Sequence, residues 1–163
     1  MSVRVAVQMD PLESINISGD STFAIMLGAQ ARGYSLYHYL AEDLTYQEGR
    51  LYAGAHEVSV QPVPGDHFKL GAFKILDLGS DIDVVLMRQD PPFDLGYITA
   101  THLLERIRDE TLVVNDPAAV RDAPEKVWVL DFARYMPPTM ITRSLGAARK
   151  FAEEHGEVVV KPL

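Results

Sequence analysis

Val84-Val85-Leu86-Met87 is an unbroken apolar run, closed by Arg88-Gln89-Asp90 and then by Pro91-Pro92. A short apolar run bounded by charge and proline reads as a buried strand. Neither proline can donate to a sheet ladder, and each restricts the residue before it, so the strand must exit through a stiff loop. Asp94 then suits the N-cap of a helix over Leu95 to Asp109. Strand, stiff charged turn and helix together make the unit from which open α/β sheets are built, and such sheets bind ligands outside the carboxyl ends of their strands. A guanidinium at that place can hold a carboxylate or phosphate through two parallel hydrogen bonds, which an ammonium cannot. The competing reading pairs Arg88 with Asp90 at the loop mouth, and the stretch alone leaves both open.

The rest of the chain repeats the theme. Val3 to Val7 is strand material ending at a turn, Met9-Asp10-Pro11, followed by a polar loop pinned by Ile15 and Ile17. Asp20 or Ser21 caps a helix with Phe23, Met26, Leu27 and Gln30-Ala31 on one face, and Gly33 stops it. Tyr34 to Leu40 is the second strand, completing β-α-β, the minimal unit of a parallel sheet. Residues 44–79 lose the alternation with helices. They contain a hairpin turning at Glu48-Gly49, a strand over Val58 to Val63 and an ambiguous segment from Phe68 to Leu78, and they read as an antiparallel insertion. The core resumes with Val84 to Met87, the Leu95 helix and a strand over Thr111 to Val114. A helical turn at Ala118 to Arg121 follows. Asp122 and Glu125 have capping-box spacing, which places Lys126 in the first turn of a helix running to about Arg134. The pattern changes after Pro138: a strand over Met140 to Thr142, a helix capped by Ser144 and stopped by Gly156, and a strand over Glu157 to Lys161. Trp128 and Phe132, four apart on one helix face, read as core.

Charge and composition exclude some functions. Among 163 residues, 23 are acidic and 15 basic, a formal net charge of −8, with no Lys/Arg block. Nucleic acid or an anionic membrane would need a positive footprint, so neither is an expected partner. There is no cysteine, hence no disulfide framework, thiolate metal site or cysteine nucleophile, which fits a reducing compartment. No apolar run approaches a membrane span, and a cytoplasmic location is expected. His38, His56, His67, His102 and His155 show no metal-ligand spacing and read as structural or exposed.

If the sheet is parallel, the first strand-to-helix loop, carrying Asp10, Asn16, Asp20 and Ser21, opens on the same edge as Arg88 and Asp90. The free N–H groups at the helix start near Ser21 would favour an anion there. Taken singly, Asp20, Ser21 and Asn16 are better explained by capping and Asx-turns than by a ligand. Lys126, in a first helical turn, opposes the helix dipole unless an anion compensates. Lys161, after three valines, would have its stem in the core and its ammonium in a polar site. These two lysines hint weakly at phosphate, although no Gly-rich phosphate loop is present.

Met9-Asp10-Pro11, Ile15-Asn16-Ile17, Asp20-Ser21-Thr22-Phe23, the element from Met87 to Asp94, Val114-Asn115-Asp116-Pro117, Arg121-Asp122, Glu125-Lys126 and Val160-Lys161-Pro162-Leu163 follow one another in an order that resembles the prokaryotic glutathione synthetases. The resemblance implies an α/β fold: an open, mostly parallel, Rossmann-like pre-ATP-grasp sheet flanked by helices, over residues 1–122, with the antiparallel insertion. It implies that residues 123–163 open an ATP-grasp domain. It implies an ATP-dependent ligase that joins γ-glutamylcysteine to glycine through an acyl phosphate, with Mg²⁺, and a homo-oligomer. Arg88 would neutralise a carboxylate of the peptide, with Asp10, Asn16, Asp20, Ser21 and Asp90 around it, and Lys126 and Lys161 would contact ATP. No catalytic or metal-ligating residue is assigned, because that family's glycine-rich loop and acidic Mg²⁺ ligands follow the K-P-L strand. A chain of these residues is therefore expected to be inactive alone. Two alternatives stand beside it: an ATP-grasp ligase with another acceptor, and a non-catalytic flavodoxin-like binding domain in which Val158 to Lys161 is a protected strand.

Overall fold

The structure is a computed structural model and describes residues 2–162, with the backbone alone for Glu125. The chain forms two compact units, Met1–Asp122 and Ala123–Leu163.

In the first unit, strand β1 (Arg4–Gln8) is the centre of the sheet. It pairs in parallel with β2 (Ser35–Tyr39) on one side and with β6 (Val84–Met87) on the other, and β6 pairs in parallel with β7 (Leu112–Val114). β4 (Arg50–Val60) joins β2 antiparallel and carries β3 (Leu44–Gln47) and β5 (Phe68–Asp77), both antiparallel. The sheet is thus mixed rather than mostly parallel, because the insertion adds to the same sheet beside β2. The Glu48-Gly49 turn forms as expected, with both residues at positive φ (50° and 86°) as a two-residue hairpin turn requires. β4 is one long strand, where the alternation suggested two pieces. Its alternation is regular, but the buried side changes: Leu51, Ala53 and Ala55 belong to the core under α2, and Val58 and Val60 to the core under α1, so no single apolar stripe runs its length.

Helices cover the two faces. α1 (Ser21–Ala31) lays Phe23 and Met26 on Val5, Val7, Leu36, Val58 and Val60. Its Gln30 amide donates to the Val60 carbonyl (2.7 Å) and accepts from the Val60 N–H (2.8 Å), locking the helix to the end of β4. α2 (Leu95–Glu105) lays Leu104 against a second core that includes Ala6, Tyr37, Tyr39, Val85 and Met87. α2 stops short of Asp109. The chain instead turns into β7 at Thr111, whose buried hydroxyl donates to the carbonyls of Leu78 (2.7 Å) and Ile82 (3.1 Å). α3 (Pro117–Asp122) packs on α2, and Arg121 forms an ion pair with Glu105.

The second unit departs further from expectation. α4 (Glu125–Trp128) begins after Pro124, which gives no side-chain cap, and Asp122 closes α3 instead. With Asp122 as N-cap, Ala123 would have to be helical immediately before a proline, which the proline ring disfavours. A 3-10 segment, Val129–Tyr135, follows α4. Trp128 and Phe132 meet edge to face (5.2 Å between centroids) but are 50% and 46% exposed, so they are not core. α5 (Leu145–His155) is capped by Ser144, whose hydroxyl accepts from the Ala147 N–H, and ends at Gly156 with φ +79°. Met140 to Thr142 and Glu157 to Lys161 are not strands. A strand exists only through a hydrogen-bonded neighbour, and among the described residues these segments have none.

Candidate functional site

The parallel register sets Gln8 beside Met87, so β1 and β6 run out together at one edge of the sheet. The two exit loops are bonded where they part: the Arg88 N–H donates to the Gln8 carbonyl at 2.7 Å. From there β1 leads through Met9, Asp10 and a 3-10 turn (Leu12–Ser14) to the start of α1, and β6 leads into Asp90 and the prolines. Between them lies a cleft of about 420 Å³ lined by Met9, Asp10, Ser14, Ile15, Asn16, Gly19, Asp20, Arg88 and Asp90.

Arg88 spans the hollow to the helix start. Its Nε donates to Thr22 Oγ1 (3.0 Å) and its Nη2 to Ser21 Oγ (2.8 Å). Among the described residues it makes no ion pair, so the reading in which Arg88 simply neutralises Asp90 does not hold. The remaining guanidinium N–H groups and the first amides of α1 give the cleft a cationic corner. Asp20 is committed elsewhere: its carboxylate caps α1 by accepting from the Phe23 N–H at 2.6 Å. Asn16 is committed too, its Oδ1 accepting from the Ser18 N–H (3.2 Å) and hydroxyl (2.8 Å) in an Asx-turn. The side chains of Asp10 and Asp90 make no hydrogen bond or ion pair among the described residues. The cleft therefore offers uncommitted groups of both signs.

Two buried histidines hold the loop beneath it. His38 Nε2 lies 3.2 Å from the Asp10 carbonyl and His67 Nε2 lies 2.7 Å from the Leu12 carbonyl. Burial lowers the pKa of His38, outweighing the Asp10 carbonyl, Glu13 and Asp43, which raise it. A neutral His38 imidazole donating through Nε2 fits its contact with the Asp10 carbonyl. The Tyr97 hydroxyl is raised in pKa by burial; Arg88 acts to lower it and Asp90 to raise it, so this phenol lies within electrostatic reach of the cleft.

The structure thus gathers Asp10, Asn16, Asp20, Ser21, Arg88 and Asp90 at one rim, as the two-loop reading required. Lys126 and Lys161 belong to the second unit. Lys126 is the second residue of α4 and half-buried. Lys161 is exposed at the end of a segment in which Val159 and Val160 are 84% and 87% exposed. Its stem does not lie in a core, contrary to expectation, since the valines before it pair with no strand among the described residues. Sequence reasoning gave no site role to Thr22, His38, His67 or Tyr97, reading the two histidines only as structural or exposed. Thr22 offered one signal, a hydroxyl in the first turn of a helix whose capping residue was already identified. The histidines offered none, because their carbonyl partners are 28 and 55 residues away.

A mixed sheet with helices on both faces and a two-sign cleft at the carboxyl ends of adjacent parallel strands defines an α/β domain of the doubly wound kind. The particular family follows from sequence comparison. The family described as "Prokaryotic glutathione synthetase, N-terminal domain" matches residues 3–121, and "Prokaryotic glutathione synthetase, ATP-grasp domain" matches residues 125–163. Relatives named glutathione synthetase include those of Bradyrhizobium diazoefficiens (55% identical, covering 100% of this chain and 52% of the relative) and Agrobacterium fabrum (53%, covering 98% and 50%). That of Vibrio cholerae is 41% identical, covering 99% of this chain and 51% of the relative. The chain belongs to the prokaryotic glutathione synthetase family. It spans about half the length of the curated relatives it matches. No helix among the described residues is long and apolar enough to cross a membrane.

Proposed function

We propose that this chain is the peptide-binding part of an ATP-dependent ligase that joins γ-glutamylcysteine to glycine, with residues 1–122 forming the substrate domain and residues 123–163 opening the ATP-grasp domain. The observation that carries the reading is the Arg88 fork, braced by Ser21 and Thr22 and facing a cleft with uncommitted Asp10 and Asp90. γ-Glutamylcysteine carries one ammonium and two carboxylates, so it needs cationic and anionic partners at fixed separation. Arg88 and the start of α1 serve a carboxylate, and Asp10 and Asp90 serve the ammonium. Asn16 and Asp20 shape the loop, and Ser21 and Thr22 aim the guanidinium. A carboxylate held in this way is oriented for reaction, the contribution positioning makes to acyl transfer.

When bound, ATP supplies the phosphoryl group that makes the cysteinyl carboxylate a competent acyl donor for the glycine amine. Lys126 and Lys161 would hold its phosphates as point charges. Among the described residues no group of three or more His, Asp or Glu side chains gathers to hold a cation, and we assign no step to Mg²⁺. The exposure of Val158 to Val160 disfavours the flavodoxin-like alternative, which needs them as a protected strand.

Calorimetric titration of γ-glutamylcysteine into the protein tests the assignment. Arg88→Ala is expected to weaken binding by roughly ten- to a hundred-fold, the worth of a charge-assisted pair, and Arg88→Lys to restore only part of it. Unchanged affinity in Arg88→Ala would overturn the reading.

A further inference from the structure

β1 is apolar from Val5 to Val7 and then places Gln8, which is fully buried. Alternation along the strand sets Val5 and Val7 on the α1 face of the sheet, and Ala6 and Gln8 on the α2 face. Met87, the neighbour of Gln8 in register, lies on the α2 face as well. Burying an amide is costly unless its polar atoms are met. Gln8 Nε2 donates to Gln89 Oε1, and Gln8 Oε1 has no partner among the described residues. Gln89 is thus the one side-chain contact among them that accounts for an amide at this place.

The exit of β6 is pinned from both faces. Arg88 reaches over the α1 face to Ser21 and Thr22, and Gln89 turns to the α2 face, where Gln8 holds it. Between the two side chains, the Arg88 N–H is held by the Gln8 carbonyl at 2.7 Å. A segment bonded on both faces cannot roll about the strand axis without breaking a bond on one of them. Asp90 comes next and is exposed, so its place relative to Arg88 is set by the backbone between Gln89 and the stiff Pro91-Pro92.

We infer that Gln8 and Gln89 are positioning residues of the cleft: their amide–amide bond holds the Arg88 guanidinium and the Asp90 carboxylate at one separation. Neither amide lines the cleft, so both act through the residues they hold. The inference rests on the Arg88 cleft being the peptide site, where a ligand carrying both signs needs both partners in place before it arrives.

Gln8→Met, Gln89→Met and the double variant, made in the full chain, separate positioning from stability. Gln89→Met leaves a buried amide without a partner and should lower the urea midpoint. The double variant replaces both amides by apolar side chains of similar size, which should bring the midpoint back toward the parent. Affinity should not return with it. By calorimetry, γ-glutamylcysteine should bind roughly three- to ten-fold more weakly in each single variant, the worth of one neutral hydrogen bond. The double variant should be about equally weak, because all three lose the same bond. Exchange of the Arg88 Nε–H with water, followed by NMR, should quicken by a similar factor. Affinity that recovers along with stability in the double variant overturns the inference, as does an Arg88 Nε–H that exchanges there at the parent rate. A parent that does not bind the peptide defeats the assignment of the cleft, and the exchange measurement then decides the clamp by itself: quickened exchange upholds it and unchanged exchange removes it.

Discussion

Removing the Thr22 hydroxyl isolates the brace behind the proposed peptide contact. Thr22 is 4% exposed and its Oγ1 takes the Arg88 Nε–H at 3.0 Å. Valine keeps the branched shape and deletes the acceptor. A hydrogen bond to a charged group is worth about 1.5–3 kcal/mol when buried. Arg88 is only half-buried, so water replaces part of the lost contact, and Thr22→Val should cost about 1 kcal/mol. For a domain of this size that is about 3–6 °C in Tm. Urea unfolding followed by circular dichroism measures it, and the decisive comparison is a double-mutant cycle with Arg88→Met. Without the guanidinium the Thr22 hydroxyl has no partner to lose, so Thr22→Val should there cost close to nothing. γ-Glutamylcysteine affinity should fall several-fold in Thr22→Val alone, because the fork is less restrained. An equal stability loss in both backgrounds would refute the brace, since the hydroxyl would then act through something other than Arg88.

Two further outcomes are expected. Leu104→Ala should lose about 2–5 kcal/mol by urea unfolding, because Leu104 is fully buried in the core under α2 and its removal leaves a cavity. Its exposed counterpart Leu95→Ala should stay within about 0.5 kcal/mol. His38 is held below its ordinary value of 6.5 by burial, so its contribution is complete above that pH. Below it, the unfolded chain takes up a proton that the folded chain resists. Stability measured from pH 8 to pH 5 should therefore fall as pH drops through the ordinary histidine range, with a shallower slope in His38→Gln; identical slopes would rule His38 out as the source.

Much of this molecule is local, and the local part was legible. Asp20, Asp94 and Ser144 cap helices where side chain and spacing required it, and Glu48-Gly49 turns the hairpin. Val84 to Met87 is a buried strand because nothing else accommodates such a run between charge and proline. The convergence of Arg88 with Asp10 and Ser21 also followed, since parallel strands must emit their loops on one edge. What the chain order could not convey is everything that depends on a distant partner. β4 buries Leu51, Ala53 and Ala55 on one face of the sheet and Val58 and Val60 on the other, which made one strand read as two pieces. The insertion turned a parallel sheet into a mixed one only because β4 found β2. The valines before Lys161 carry full β-propensity, yet they form no strand, because propensity supplies no hydrogen-bonded neighbour. Side-chain identity decides which conformations a segment tolerates; only the assembled sheet decides which of them finds a partner, and so which polar groups remain to meet a ligand.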